Sequence, residues 1–420
     1  MKRKAMVCLA LLLCFALVMP VFAQDFPGTE ESEATAVLTK VFRMSESIDT
    51  PDVTFTFEIT PVSVNGEAFA NGNMPEIPSK TIPYTSSDKG TVVDGVKQVS
   101  KESSSLFDGV KWPHAGIYEY TLSEKNSITG TIDPDDEIDY SEASYKLQVF
   151  VANGTNGLYV AAIGAEIIVT DGESGGEPGN KVDGTPGDPT VEGDYSKLVF
   201  TNTFTKSSGS ENPNDPNLVI SKHVETKEAG SHDLANRQKY FDFSVTLTKS
   251  SINKNENQKY VAYVLDEENK VVTSSDNYSG TIYEHDDYGK YILFGTGETK
   301  TVSLKHGEWL SFVDLEVDAS YEVTEAGSPN FEPNVKLVKN SAASSLSAAN
   351  GQSLTVPKTY ITTGDDRAEF TNVFVPLTPV GISFDNLPFV IVVGLALGGL
   401  ILLLTMKKRK NEEEVEKAQG

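Results

Sequence analysis

A glutamate lies among the apolar residues of the stretch 116–124, which has the sequence GIYEYTLSE. Side chains alternate between the two faces of a β-strand, so residues two apart share a face. Glu124 therefore shares a face with three apolar side chains, those of Tyr118, Tyr120 and Leu122. A carboxylate facing a core is unfavourable unless a partner or a proton compensates its charge. This position therefore needs a chemical explanation.

A lysine and an asparagine face inwards in the same way, on either side of Glu124 in the chain. Lys40 shares its strand face with Ala36, Leu38 and Phe42. Asn202 shares its strand face with Leu198, Phe200 and Phe204. The order Lys, Glu, Asn then recurs in Lys222, Glu325 and Asn372, each again in step with apolar neighbours. This repetition indicates a domain-scale duplication with one inward-facing triad in each half.

Such a triad has the groups needed to join two side chains by an amide bond. Burial favours a neutral lysine amine and a neutral glutamic acid. The amine can attack the carboxamide carbon of asparagine while the glutamic acid polarises that group and transfers protons as ammonia leaves. Folding supplies the proximity that this slow reaction requires. We predict Lys40–Asn202 and Lys222–Asn372 isopeptide bonds, with Glu124 and Glu325 as the catalytic groups and no cofactor.

A purely structural interpretation of each triad remains open. A buried lysine–glutamate ion pair with an asparagine hydrogen-bonded beside it would give the same pattern. One isolated triad fits either interpretation equally well. Two triads in the same order and at matching strand positions favour the crosslink.

The elements that carry these residues are predicted to be β-strands. Residues 53–59 alternate strictly between apolar and polar types, and similar runs recur between Gly, Asn and Pro residues with hardly any helical periodicity. We predict an all-β protein with two tandem immunoglobulin-like β-sandwich domains, over residues 35–206 and 217–375. The polar segment 207–216 is predicted to be a linker.

Both ends of the chain carry export and membrane signals. Residues 1–23 combine a basic start, an apolar run and small residues before the cut, which predicts a signal peptide. Cys8 and Cys14, the two cysteines of the chain, lie inside it. The run 387–406 is long enough to cross a bilayer, and the basic residues 407–410 that follow predict a cytoplasmic tail at 411–420. The predicted location is therefore the cell surface, with the sandwiches outside.

The charge of the chain bears on its partners. The formal net charge is −25 at pH 7, which disfavours nucleic acid and anionic lipid as partners. The five histidines lack metal-ligand spacing, and Asp133, Asp135, Asp136 and Asp139 are interpreted as an acidic turn rather than a calcium site. Motifs for a catalytic nucleophile, a phosphate loop or a dinucleotide are absent from the sequence. We predict no metal site and no enzymatic activity beyond self-crosslinking.

The motifs around the two triads resemble those of a known family. They are LTK at 38–40, GIYEYTLSE at 116–124 and FTN at 200–202, followed by SK at 221–222, YEVTE at 321–325 and FTN at 370–372. In this order they resemble the two-domain streptococcal backbone pilins of Gram-positive surfaces, whose domains carry Lys–Asn isopeptide bonds. The resemblance implies a sortase as partner, polymerisation with other copies or other pilins, and attachment to the cell wall or membrane.

The resemblance also implies a sorting signal within residues 376–410. The preferred register is Thr378, Pro379, Val380 and Gly381, where valine replaces the threonine of a Pro-Thr-Gly form. In the alternative register, VPLTP at 375–379, proline replaces the final glycine of the expected pentapeptide. Either departure leaves open whether a sortase cleaves the chain or whether it stays in the membrane.

A backbone pilin further requires a lysine that accepts the C-terminal carbonyl of a neighbouring subunit. In the family resembled, this lysine lies shortly before the last strand of the first domain, which points to Lys197. Counting by twos from Phe200 puts Lys197 on the outer face, where its amine would be exposed. Lys181 is the alternative, and a solvated lysine without a role is the third possibility.

Three functions remain open at this level. The first is a structural pilus or fibre subunit, and the second is a monomeric adhesin anchored in the membrane or wall. The third, a surface hydrolase, is the weakest because the inward-facing acid and base groups are used by the crosslinks. The sequence identifies no ligand.

Overall fold

The computed structural model describes residues 28–70, 72–172, 176–191, 193–226, 232–375 and 387–417. The predicted signal peptide and sorting signal lie outside these ranges. The described residues form 24 strands and two helices. The strands form two pairs of sheets in chain order, which confirms the prediction of an all-β protein with tandem β-sandwiches.

The first sandwich contains a five-stranded and a seven-stranded sheet. Its strands are β1 Thr39–Ser45, β2 Val53–Val64, β3 Glu67–Ala68, β4 Lys80–Tyr84, β5 Thr91–Val93, β6 Val96–Glu102, β7 Gly116–Gly130, β8 Glu137–Asp139, β9 Ser144–Asn153, β10 Leu158–Val169, β11 Lys181–Val182 and β12 Val199–Thr205. One sheet has the order β5-β6-β1-β12-β8, and the other has the order β11-β10-β9-β7-β2-β3 with β4 also on β2.

The second sandwich contains an eight-stranded and a four-stranded sheet. Its elements are β13 Leu218–Thr226, α1 His232–Arg237, β14 Phe241–Thr248, β15 Lys259–Leu265, β16 Tyr283–His285, β17 Gly289–Gly295, β18 Thr299–Leu304, β19 Trp309–Val313, β20 Ser320–Glu325, β21 Phe331–Lys339, β22 Ala342–Ser347, β23 Leu354–Tyr360 and β24 Asp366–Phe374. The larger sheet has the order β16-β17-β15-β19-β13-β24-β21-β22, and the smaller has the order β18-β14-β20-β23.

Period-two alternation explains how each pair of sheets encloses a core. In β7 the apolar residues on the face of Tyr118 are fully buried, while their neighbours are partly exposed. In β14 the run from Phe241 to Leu247 alternates in the same way. Each sandwich has one main core built from both of its sheets.

The first and last strands of each sandwich are parallel neighbours. β1 pairs with β12, and β13 pairs with β24, whereas the other strand pairs are antiparallel. The sequence pattern indicates strands but not this parallel pairing. A parallel pair requires a long crossover connection, and here the rest of each sandwich forms that crossover.

The segment 207–216 lies against the second sandwich instead of forming a free linker. The backbone N–H of Ser208 donates to the carbonyl of Leu315 at 2.8 Å. The hydroxyl of Ser311 donates to the carbonyl of Pro213 at 2.7 Å. In addition, Val317 of the second sandwich packs into the core of the first. The two sandwiches therefore meet in a packed junction.

Helix α2 spans Leu387–Lys417. It begins at the residue where the apolar run of the sequence begins. Its segment Ile391–Lys410 is long and apolar enough to cross a membrane. The helix also includes the basic residues and most of the predicted tail.

Candidate crosslinking sites

The structure brings Lys40, Glu124 and Asn202 together in the core of the first sandwich. The Nζ of Lys40 lies 2.9 Å from Oε2 of Glu124, and both side chains are fully buried. The Nδ2 of Asn202 donates to Oε1 of Glu124 at 2.7 Å. The glutamate therefore bridges the amine and the carboxamide that a crosslink would join.

Burial shifts the proton equilibria of this pair in opposite directions. Loss of solvent lowers the pKa of Lys40 to about 8, against the opposing effect of the Glu124 carboxylate. Loss of solvent also raises the pKa of Glu124, against the opposing effect of Lys40. Both shifts reduce the cost of moving the lysine proton to the glutamate. The neutral pair that amide exchange needs is thus within reach near neutral pH.

The second sandwich contains the same three residue types in contact. The Nζ of Lys222 lies 2.7 Å from Oε1 of Glu325. The Nδ2 of Asn372 donates to the same oxygen at 2.5 Å. Loss of solvent lowers the pKa of Lys222 to about 8, with Glu325 acting in the opposite direction. The lysine of each triad also lies over an aromatic ring, at 4.6 Å from the centroid of Phe55 and 4.2 Å from that of Phe241.

Identical strand registers position the lysine and asparagine in both sandwiches. In β1 and β12, Lys40 is aligned with Phe200, two residues before Asn202. In β13 and β24, Lys222 is aligned with Phe370, again two residues before the asparagine. Residues two apart share a face, so lysine and asparagine are diagonal neighbours in each pair.

The glutamate of each triad comes from the opposite sheet. Glu124 in β7 is paired with Phe57, and Glu325 in β20 is paired with Phe243. Each of these phenylalanines packs across the core against the phenylalanine that lies two residues before the asparagine of the triad. The ring centroids of Phe57 and Phe200 are 5.1 Å apart, as are those of Phe243 and Phe370. This aromatic pair therefore helps to fix the distance between the two sheets beside each triad.

The two triads differ at the carboxamide oxygen. Oδ1 of Asn202 accepts the backbone N–H of Ser141 at 2.7 Å. Oδ1 of Asn372 is buried and has no hydrogen-bond partner among the described residues, and the same holds for Oε2 of Glu325. Ser141 lies in a connection without periodicity, so the strand pattern of the sequence could not indicate it.

The first sandwich matches the model of a known protein family. Residues 36–205 match the family model described as the Spy0128-like isopeptide containing domain. That match spans the first sandwich. The resemblance to streptococcal-type backbone pilins seen in the sequence motifs is thereby confirmed. Residues 216–373 match a family model described as a domain of unknown function, DUF7601.

Solved structures similar to this chain include two major pilins from Streptococcus pyogenes. One is 20% identical, with 82% of this chain and 100% of that chain covered and a TM-score of 0.31. The other, of type T3.2, is 19% identical, with 81% and 98% covered and a TM-score of 0.32. A pilus-presented adhesin, Spy0125 (Cpa), is 21% identical over 56% of this chain and 36% of that chain, with a TM-score of 0.24. No curated protein sequence matches this chain.

In the first sandwich, Lys197 is only partly exposed. Its Nζ lies 3.7 Å from the ring centroid of Tyr195 and donates to the carbonyl of Gly193 at 3.2 Å. Lys181, the alternative acceptor, is exposed in β11, where it is aligned with Glu166. Lys197 lies two residues before β12, whereas Lys181 lies earlier in the chain and is the more exposed of the two. The predicted sorting signal, Thr378 to Gly381, lies outside the described residues.

The acidic residues after β7 have a cationic partner in the structure. Lys206 lies 2.7 Å from Asp133 and 3.3 Å from Asp136 through its Nζ. This favours the acidic turn over a calcium site. His223 and His306 lie close together, with ring centroids 4.4 Å apart. The described residues contain no group of three or more His, Cys, Asp or Glu residues that could hold a metal ion.

Proposed function

We propose that this protein is a structural subunit of a surface pilus, and that each of its sandwiches forms an autocatalytic Lys–Asn isopeptide bond. One observation carries the proposal: a buried lysine, glutamate and asparagine are in contact at the same strand register in both sandwiches. An ion pair that served stability alone would not require an asparagine at the same offset each time. The reaction requires it, because the carboxamide supplies the carbon that is attacked.

The reaction follows from the contacts of Glu124. The carboxylate takes the proton of the Lys40 ammonium, and the neutral amine attacks the carboxamide carbon of Asn202. The acid then delivers this proton to the departing nitrogen, and the carboxylate takes up the second proton that the lysine nitrogen loses. Ammonia leaves as the new amide forms, and it carries that last proton away as ammonium. One N–C bond forms, one breaks, and the glutamate ends as it began. Glu325 would act in the same way between Lys222 and Asn372.

The placement of the bonds suits a protein under tension. Each bond would join the first strand of a sandwich to the last, which are the strands where the chain enters and leaves. A pulling force would then pass from strand to strand through the covalent bond, without loading the hydrogen bonds of the other strands. The bond also restricts the unfolded chain as a disulfide does, yet reductants cannot cleave it.

Assembly into a pilus rests on the family of the first sandwich and on the two ends of the chain. The first sandwich matches the Spy0128-like isopeptide containing domain, and the chain resembles the streptococcal backbone pilins in its motifs. The helix from Leu387 would hold the subunit in the membrane until a sortase acted on the segment before it. Lys197 or Lys181 would accept the carbonyl of the next subunit.

The test is immunoblotting of boiled, detergent-treated cell-wall extract from cells with and without the cognate sortase. A pilus subunit gives a ladder of covalent multimers that requires the sortase. A single band in both strains would contradict assembly into a pilus and favour a monomeric adhesin anchored in the membrane or wall.

A further inference from the structure

A second acidic residue lies beside the first triad and is not used by the proposed reaction. Asp171 follows β10 in the sheet opposite Asn202. Its Oδ2 accepts the hydroxyl of Ser141 at 2.6 Å. The same oxygen accepts the backbone N–H of Thr201, the residue before Asn202, at 3.2 Å. One carboxylate thus ties the strand of the asparagine to the connection that follows β8.

That connection delivers a hydrogen-bond donor to the carboxamide. β8 pairs with β12 only from Thr203 to Thr205, so the ladder ends just before Asn202 is reached. Beyond it the chain turns, and the buried Ser141 directs its backbone N–H at Oδ1 of Asn202, 2.7 Å away. The hydroxyl of Ser141 also accepts the N–H of Ala143 at 3.2 Å, which fixes the turn from its other side.

We propose that Asp171 and Ser141 form a positioning clamp that makes the Ser141 N–H an oxyanion donor for the first crosslink. When the Lys40 amine attacks, negative charge develops on Oδ1 of Asn202, where this donor already lies. A preorganised donor at a developing oxyanion lowers the barrier because it needs no rearrangement during the reaction. The proposal rests on the proposed function, since it concerns the rate of the bond that function requires.

Within the part of the chain that the structure describes, the second triad lacks a corresponding hydrogen-bond donor to its carboxamide oxygen. There β24 continues its ladder with β21 past Asn372, which is aligned with Pro333. Oδ1 of Asn372 has no donor among the described residues. The second bond would therefore form without this assistance. It serves as an internal reference for folding in every variant of the clamp.

The charge of Asp171 and its hydrogen bonds are expected to have opposite effects on the rate at which the Lys40–Asn202 bond forms. Its negative charge favours the Lys40 ammonium, so removing the charge alone would promote the neutral amine and speed the reaction. Removing its hydrogen bonds would release the Ser141 N–H and slow the reaction. Asp171→Ala removes both charge and hydrogen bonds. Asp171→Asn removes the charge but keeps an oxygen that accepts both bonds.

The experiment starts from full ectodomain recovered unfolded from inclusion bodies, before either bond has formed, dilutes it out of denaturant and follows each bond by peptide mass spectrometry. The clamp predicts that Asp171→Ala slows the Lys40–Asn202 bond about tenfold or more, while the Lys222–Asn372 bond keeps its rate. Asp171→Asn should react at the parent rate or faster. Ser141→Ala, which keeps the N–H but loses its tie to Asp171, should slow the first bond by a smaller factor. Asp188→Ala, an exposed aspartate of the same loop region, is the matched control and should match the parent.

The outcomes separate this inference from the proposed function. If the parent forms no Lys40–Asn202 bond, the proposed function fails and the clamp with it. If the parent forms the bond and Asp171→Ala forms it at the same rate, the clamp is wrong and the crosslink stands. Equal slowing in the alanine and asparagine variants would mean that the hydrogen bonds kept by asparagine do not set the rate and would also overturn the clamp. Should Asp171→Ala fail to fold, the Ser141→Ala and Asp171→Asn rates decide.

Discussion

Lys40 and Asn202 lie two residues out of step on adjacent parallel strands, because Lys40 is aligned with Phe200. The offset leaves room between the lysine amine and the carboxamide for a carboxylate from the opposite sheet. Glu124 fills that position and contacts both groups. The same offset separates Lys222 and Asn372, so the second sandwich repeats the lysine–asparagine geometry of the first, although the loops around the two triads differ.

The intact mass of the mature ectodomain should be lower than the sequence mass by two molecules of ammonia. Each isopeptide bond releases one, since the amide nitrogen of asparagine leaves when the lysine nitrogen replaces it. Lys40→Ala and Lys222→Ala should each lose one ammonia, and the double variant none. Unmodified mass in the parent protein would contradict both crosslinks.

Replacing either of the two glutamates proposed as catalysts should abolish one of the proposed crosslinks and leave the other. Glu124→Gln keeps the side-chain shape but removes the group that takes up the lysine proton, so the first bond should not form. Glu325→Gln should do the same to the second, and alanine variants should agree. Without its bond a sandwich loses a constraint worth on the order of 5 kcal/mol, which corresponds to a fall in melting temperature of about 10–20 °C by calorimetry.

The control for these variants is Glu322→Ala on the same strand as Glu325. Glu322 is exposed on the opposite face of β20, so its loss should leave both crosslinks and the melting temperature unchanged. If a Glu124→Gln or Glu325→Gln variant still loses two ammonias, that glutamate is not the catalyst.

The rate of the first crosslink should depend on pH as a bell-shaped curve. The reactive pair holds one proton, shared between Lys40 and Glu124. Above about pH 8, where the lowered pKa of Lys40 lies, the pair loses that proton and none remains for the leaving nitrogen. Below the raised pKa of Glu124 the pair gains a second proton, which holds the amine as unreactive ammonium. We expect about a tenfold loss of rate per pH unit beyond each limit.

Dilution of unfolded, unreacted ectodomain into buffers across this range, with peptide mass spectrometry at early times, measures the rate at each pH. Glu124→Gln should show no bond at any pH. A rate that keeps rising well above pH 8 would mean that only deprotonation of the lysine matters and that the glutamate proton has no part in the reaction.

Lys197→Arg should abolish the covalent ladder in cells that express the cognate sortase. Arginine keeps the positive charge and the contact with Tyr195, but its guanidinium does not attack an acyl-enzyme. Lys181→Arg is the matched comparison, because that lysine is more exposed and lies nearby. A ladder of unchanged intensity in Lys197→Arg, with loss in Lys181→Arg, would transfer the role to Lys181.

Much of this architecture could be predicted from alternation along the chain. The strand pattern, the duplication and the inward faces of Lys40, Glu124 and Asn202 follow from the two-residue period of a strand, which depends only on neighbouring residues. The hydrophobic start of the helix at Leu387 is local in the same sense. These features are visible in the sequence because a single buried face imposes its alternation on strands such as β7 and β14.

The parallel pairing of first and last strands and their two-residue offset arise only in the tertiary structure. They involve segments that are far apart in the chain, and the pattern of neighbouring residues does not indicate which strands pair with each other. The positions of loop residues are harder still to predict, because their sequence has no regular alternation of apolar and polar residues. Ser141 and Asp171 meet Asn202 only because the ladder between β8 and β12 ends where it does. The segment 207–216 has the composition of a free linker, yet buried contacts with the second sandwich hold it in place.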